Sequence, residues 1–127
     1  MMSNDEWSKA TQAAWSWLSS DLGFVATFWQ AGPERCVQFQ KDETQVAIAQ
    51  ELGGGTWVMV YALVGRNVRR HGLERLAATP QARAFRGPGR PSEEVLARSV
   101  LRAIGDGQSE ALFSATDEGL GWVDGKR

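Results

Sequence analysis

The sequence predicts an α+β fold: an N-terminal helix, a four-stranded antiparallel meander, and C-terminal helices packed on one sheet face. Three observations carry this expectation. Apolar residues recur at helical spacing near both ends of the chain. Between them lie four runs of β-favouring residues. The connections between those runs are a few residues long, which suits antiparallel neighbours, because parallel strands need a long crossover.

The first helix is expected over about residues 4–20. Ser3-Asn4-Asp5-Glu6 has the form of a capping box, in which Ser3 accepts from the amide of residue 6 and Glu6 reaches back. Trp7, Ala10, Thr11, Ala14, Trp15 and Leu18 then fall on one helical face, and Gly23 marks a stop. Strands are expected at Phe24–Gln30, Cys36–Gln40, Gln45–Gln50 and Trp57–Val64. Ala31-Gly32-Pro33-Glu34, Lys41-Asp42-Glu43-Thr44 and Gly53-Gly54-Gly55 supply the turns. Trp57–Val64 is apolar throughout, as expected of a strand covered on both faces.

In the second half, Leu73–Ala78 reads as a short helix ended by Thr79-Pro80. Residues 79–91 contain Pro80, Pro88, Pro91, Gly87 and Gly89 and read as an exposed loop. Ser92 caps a helix over 92–104, with Glu93 and Glu94 in its first turn. Its inner face is expected at Val95, Leu96, Ser99, Val100, Ala103 and Ile104, with Gly105 just past its end. A short helix near Ser109–Ala115 and a flexible tail from about 117 complete a single domain over 1–127.

With 127 residues, 43% of them hydrophobic and 23% charged, the chain has the make-up of one ordinary globular domain. The longest apolar run, Trp57–Val64, is eight residues, against the roughly 20 that a spanning helix requires. The N-terminus Met-Met-Ser-Asn-Asp-Glu lacks the basic-then-apolar layout of a signal peptide. A cytoplasmic protein with no membrane partner is therefore expected.

The formal net charge of -1 conceals a division. Residues 66–102 hold nine arginines against Glu74, Glu93 and Glu94, a net of +6, and the rest of the chain balances this with -7. Such asymmetry points to an interaction surface. Arg66, Arg69, Arg70, Arg86 and Arg90 are the candidates for contacting phosphate or an acidic partner, weighed against a solvated, ion-paired face. Arg86-Gly-Pro-Gly-Arg90-Pro91 loosely resembles the minor-groove AT-hook core, but Pro88 interrupts the pattern and Ser92-Glu93-Glu94 replaces a basic flank.

Catalytic chemistry finds little support. One cysteine, Cys36, excludes an internal disulfide and multi-cysteine metal sites, and one histidine, His71, excludes multi-histidine centres. His71 reads as a surface residue at a strand-to-helix junction. Cys36 would be reactive if Arg35 lowered its pKa, and otherwise is a small buried or edge thiol. The adjacent acidic pairs, such as Asp42-Glu43 and Glu93-Glu94, diverge on a helix or strand and do not form acid–base pairs. Gly53-Gly54-Gly55 lacks the Lys-Ser/Thr of a P-loop and the spacing of a dinucleotide fingerprint. No catalytic, cofactor-binding or metal-ligating residue is assigned, and no cofactor is expected.

Six tryptophans are many for this length. Most Trp residues fill cores, but Trp and Arg are also the side chains that dominate binding hot spots. Trp29, Trp57 or Tyr61 is expected on the sheet face away from the helices, and all three are partner-binding candidates.

Trp15-Ser-Trp-Leu-Ser-Ser-Asp-Leu-Gly-Phe24, Cys36-Val-Gln-Phe39 and Gln45-Val-Ala-Ile48 together resemble small bacterial immunity proteins of polymorphic-toxin and contact-dependent-inhibition systems. The likeness covers residues 7–64. It implies a cytoplasmic binder that blocks a toxin domain through a surface patch. Absent catalytic motifs, surplus tryptophan and segregated charge point to a non-enzymatic protein-binding module, an immunity-type inhibitor or accessory subunit of a bacterial complex. The alternative is a nucleic-acid-binding accessory protein using the basic 66–102 region. A homo-oligomer is compatible with either.

Overall fold

The computed structural model describes residues 2–51 and 53–120, with side chains described to residue 115. The elements are α1 (Asn4–Ala14), α2 (Trp17–Ser20), β1 (Val25–Ala31), β2 (Glu34–Lys41), β3 (Thr44–Glu51), β4 (Thr56–Val64), β5 (Asn67–Gly72), α3 (Leu73–Ala77), α4 (Pro80–Arg83), α5 (Glu93–Gly105) and α6 (Ser109–Leu120). The fold is α+β. Its antiparallel sheet has five strands in the order β1-β2-β3-β4-β5, where the sequence predicted four. The added strand, β5, is dense in charge and buries only His71, so no hydrophobic alternation announces it. The chain divides into two compact units, Met1–Met59 and Val60–Arg127.

In the first unit the capping box forms as the sequence requires. Glu6 N–H donates to Ser3 Oγ at 3.1 Å and Ser3 N–H donates to Glu6 Oε1 at 3.0 Å. The single helix expected over 4–20 is instead two, interrupted at Trp15-Ser16. The break re-aims the chain so that Trp15, Trp17 and Leu18 are all buried. An unbroken helix could not do this, since Trp15 and Trp17 would point about 200° apart. The two indoles pack with centroids 5.8 Å apart at an interplanar angle of 33°. Ala10 and Ala14, expected on the inner face, are exposed, and Ser8 is buried there instead.

Two tight hairpins set the register of β1, β2 and β3. Ala31 pairs with Glu34 across Gly32-Pro33, and Lys41 pairs with Thr44 across Asp42-Glu43. Gly32 has φ +56° and Asp42 φ +52°, left-handed values that Gly and Asp accept at such turns. This register places Phe28, Val37, Phe39, Val46 and Ile48 on the face that receives α1. Trp7 of α1 meets Phe28 edge-on at 6.4 Å. Val37, Phe39, Val46 and Ile48 are at most 2% exposed, each worth about 1.5–3 kcal/mol of burial.

β4 is not covered equally on both faces. Val58, Val60 and Ala62 are buried, while Trp57, Met59, Tyr61 and Leu63 are half-buried. Alternation has turned an apolar strand into one dry face and one partly open one.

In the second unit α3, α4 and α6 pack on α5, and α3 and α6 meet β5. Leu73, Leu76, Ala82, Val100, Ala103, Leu112 and Phe113 form its core. The segment 79–91 is not wholly an exposed loop. Thr79 is buried and caps α4, donating from Oγ1 to the Leu76 carbonyl at 2.7 Å and accepting from Ala82 N–H at 3.3 Å. Residues 87–90 are its longest exposed run, and Pro80, Arg83 and Ala84 are exposed too.

Ser92 caps α5 by accepting from Val95 N–H at 3.2 Å, as expected. Its inner face is rotated toward Ala97, Ser99, Val100 and Ala103, leaving Val95 39% exposed. The helix runs through Gly105, which was expected just past its end, and the left-handed closing residue is Gly107, with φ +80°. There Gln108 N–H donates to the Ala103 carbonyl and Gly107 N–H to the Ile104 carbonyl, a Schellman closure. The helix expected at Ser109–Ala115 extends to Leu120, so residues 117–120 of the expected tail are helical, and the rest of that tail falls outside the described residues.

Candidate functional site

On the face of β1–β3 opposite α1 stand Thr27, Trp29, Cys36, Gln38, Gln45, Ala47 and Ala49. Gln50, on the α1 face, donates from Nε2 to Thr56 Oγ1 at 3.4 Å. This places Thr56 on the α1 face, so alternation brings Trp57 and Met59 to the opposite one. Cys36, Ala47 and Ala49 are buried and small, whereas Trp29 is 37% exposed and Trp57 and Met59 are half-buried. The result is a low, uncharged floor flanked by large apolar side chains.

A chain of amides fixes the exposed aromatic residue. Trp29 Nε1–H donates to Gln38 Oε1 at 3.1 Å, and Gln38 Nε2 donates to Gln45 Oε1 at 2.6 Å. Trp29 is thereby held in one orientation while much of its ring faces solvent, a preorganised contact group. At the turn end of the same face Glu34 and Glu51 stand directly opposite each other. Two like charges in that position repel, and a cation placed between them would relieve the repulsion. Glu34, Gln38, Gln45 and Met59 were not singled out from sequence. The two tight turns determine the register and, with it, the neighbours of Trp29.

Trp57 therefore shares a face with Trp29. Tyr61 lies in the second unit and is half-buried there.

The expected arginine surface is only partly displayed. Arg66, Arg70 and Arg90 are exposed, whereas Arg69 and Arg86 are half-buried. Arg69 and Arg70 are adjacent on β5 and project to opposite faces, so they do not form one two-arginine surface. Arg86 Nη1 donates to the Ala77 carbonyl at 3.2 Å, closing the loop after α4. Arg98 is bonded to Glu94 at 2.8 Å, and Arg102 lies 5.3 Å over the Phe85 ring. Arg86, Arg98 and Arg102 are thus engaged within the second unit.

The two lone reactive side chains are both interior. His71, read from sequence as a surface residue, is 1% exposed and packs 5.6 Å from the Phe113 ring. β5 carries it inward, which the missed strand concealed. Cys36 is also 1% exposed, and burial, then the nearby Glu34 carboxylate, pushes its thiol up to about 11. Arg35 does not activate it, because adjacent strand residues point to opposite faces. Among the described residues no group of three His, Cys, Asp or Glu side chains is placed to hold a metal ion, and no helix is long and apolar enough to cross a membrane.

Arg35 lies instead at a groove of about 660 Å³ beside the start of α1, lined in part by Asn4, Trp7, Gln30 and Gln50. Nε and Nη2 donate to Gln50 Oε1 at 3.0 and 2.7 Å, and Nη1 donates to the Met2 carbonyl and Asn4 Oδ1 at 3.0 and 3.2 Å. Four of the five N–H groups of the guanidinium are thus engaged within the protein. Arg35 is a clasp between α1 and the sheet. No protein-family description matches the chain, and neither a curated protein nor a solved structure is significantly similar to it.

Proposed function

We propose that this protein is a non-enzymatic protein-binding module, an immunity-type inhibitor or accessory subunit of a bacterial complex, that meets its partner with the sheet face bearing Trp29 and Trp57. The observation that carries this reading is Trp29 itself: 37% exposed, yet anchored by Gln38 over a floor of small buried residues. Binding hot spots combine rigid aromatic groups with surroundings from which water is readily expelled. The opposed Glu34 and Glu51 add a polar rim suited to a Lys or Arg of the partner. A cytoplasmic setting belongs to the same proposal, and an unbridged, buried Cys36 accords with it.

The test is affinity purification of wild type and Trp57→Lys from the native host, followed by titration of the recovered partner. Wild type should retain a stoichiometric protein partner, and Trp57→Lys should weaken it by at least about thirtyfold, or about 2 kcal/mol. Absence of a partner on wild type, or an unchanged affinity in a folded Trp57→Lys, overturns the proposal. So does recovery of nucleic acid alone that is released by salt.

A further inference from the structure

β1 stands at one end of the strand order. Its seven residues pair with β2 without a skipped position, and it contains no proline. Nor is there a charged side chain anywhere from Gly23 to Gly32. Edge strands are normally blunted by charge, proline, a bulge or shortness. β5, at the other end of the order, carries Arg69 and Arg70. β1 has none of these protections, and its Val25 is 69% exposed.

The hairpin register says which backbone groups face outward. A tight turn of two residues closes on a hydrogen-bonded pair, here Ala31 with Glu34. Val25, Thr27, Trp29 and Ala31 therefore bond inward to β2, while Ala26, Phe28 and Gln30 turn their N–H and C=O groups outward. Among the described residues, none of these outward groups has a backbone partner beyond the sheet.

We propose that the chain forms a two-fold homodimer by antiparallel pairing of β1 with β1 of a second copy, centred on Phe28. The three outward positions are symmetric about Phe28, so Phe28 meets its own counterpart and Ala26 meets Gln30, giving about six inter-chain hydrogen bonds. Thr27 then faces the second copy's Trp29 in a non-hydrogen-bonded pair, the closer kind, and an aromatic ring against a β-branched side chain is a favourable cross-strand match. Val25 faces Ala31. A two-fold axis sets each charge of a strand near its own copy, and β1 has no charge to oppose the pairing. This pairing uses the strand's edge and does not depend on the proposed partner face of β4.

The experiment is sedimentation velocity of the full chain over a wide concentration range, with Ala26→Pro as the variant. Proline at 26 removes an outward N–H and leaves the inward ladder to β2 intact. Wild type should sediment as a dimer, and a folded Ala26→Pro should dissociate at least about tenfold more readily. Independently, a Thr27→Cys, Trp29→Cys double variant in a Cys36→Ala background, which removes the thiol that stands opposite position 29, should form a dimer on a non-reducing gel under mild oxidation. A wild type that stays monomeric to hundreds of micromolar overturns the proposal. Failure of the double variant to cross-link in an otherwise dimeric protein also overturns it. Loss of the Ala26→Pro dimer with partner binding intact would separate this inference from the proposed function.

Discussion

The Arg35 guanidinium lies 4.8 Å from the centroid of the Trp7 ring. With its bonds to Gln50, Asn4 and the Met2 carbonyl, this contact joins the start of α1 to β2 and β3. Arg35→Met should therefore lower stability by roughly 2–3 kcal/mol, from the lost cation–π contact and the orphaned acceptors. Urea unfolding followed by tryptophan fluorescence measures this. Arg35→Lys should recover little, because an ammonium cannot reproduce the planar fork on Gln50.

Trp7 and Trp29 should behave oppositely when shortened. Trp7 is 6% exposed and abuts Phe28, so Trp7→Ala should cost about 3–5 kcal/mol. Trp29 is 37% exposed, so Trp29→Ala should cost about 1 kcal/mol or less. Matched thermal and urea melts below the concentration of any dimer decide between equal and unequal costs.

Cys36 should be inert in the folded state. Its thiol is raised from 9.0 to about 11 by burial and by Glu34, so little thiolate exists near neutral pH and reagent access requires unfolding. Labelling by a disulfide reagent at pH 8 should be slow for native protein and rapid in denaturant. The folded state holds this proton more tightly than the unfolded chain. Wild type should therefore lose stability relative to Cys36→Ala as pH rises from about 9 toward about 11.

The capping box should give α1 a pH dependence of the opposite sense. The Ser3 backbone N–H, then the Ser3 hydroxyl, holds the Glu6 carboxyl below its ordinary value. Its contribution is present above the unfolded carboxyl's pKa and is lost as pH falls through the lower folded one. Glu6→Gln should flatten that portion of the acid transition. Ser3→Ala should cost about 1 kcal/mol at neutral pH. Circular dichroism at 222 nm across an acid titration checks both.

Strands β2 and β3 were legible from their alternation beside the tight turns Gly32-Pro33 and Asp42-Glu43, and β1 and β4 from their runs of aromatic, β-branched and other apolar residues. β5 was not legible. Asn67–Gly72 is an edge strand whose exposed positions are Asn67, Val68 and Arg70, and its one buried side chain is the imidazole of His71. The break between α1 and α2 was hidden by spacing, because Trp15 and Leu18 fit an uninterrupted helical face and only the burial of Trp17 reveals the turn. Trp29 and Trp57 were identified from residue type alone. Their shared face and the amide chain fixing Trp29 needed the register. Charge counting misled most in residues 66–102, where Arg86, Arg98 and Arg102 satisfy a carbonyl, a carboxylate and a ring within their own unit.

The break at Trp15-Ser16 also gives the protein an optical marker. Two indoles 5.8 Å apart at 33° share their electronic excitation, and such a coupled pair yields a split circular-dichroism band that either ring alone lacks. That band should vanish in Trp15→Phe or Trp17→Phe. It should fade during unfolding in step with the corner between the two short helices, reporting on that corner separately from the helical signal.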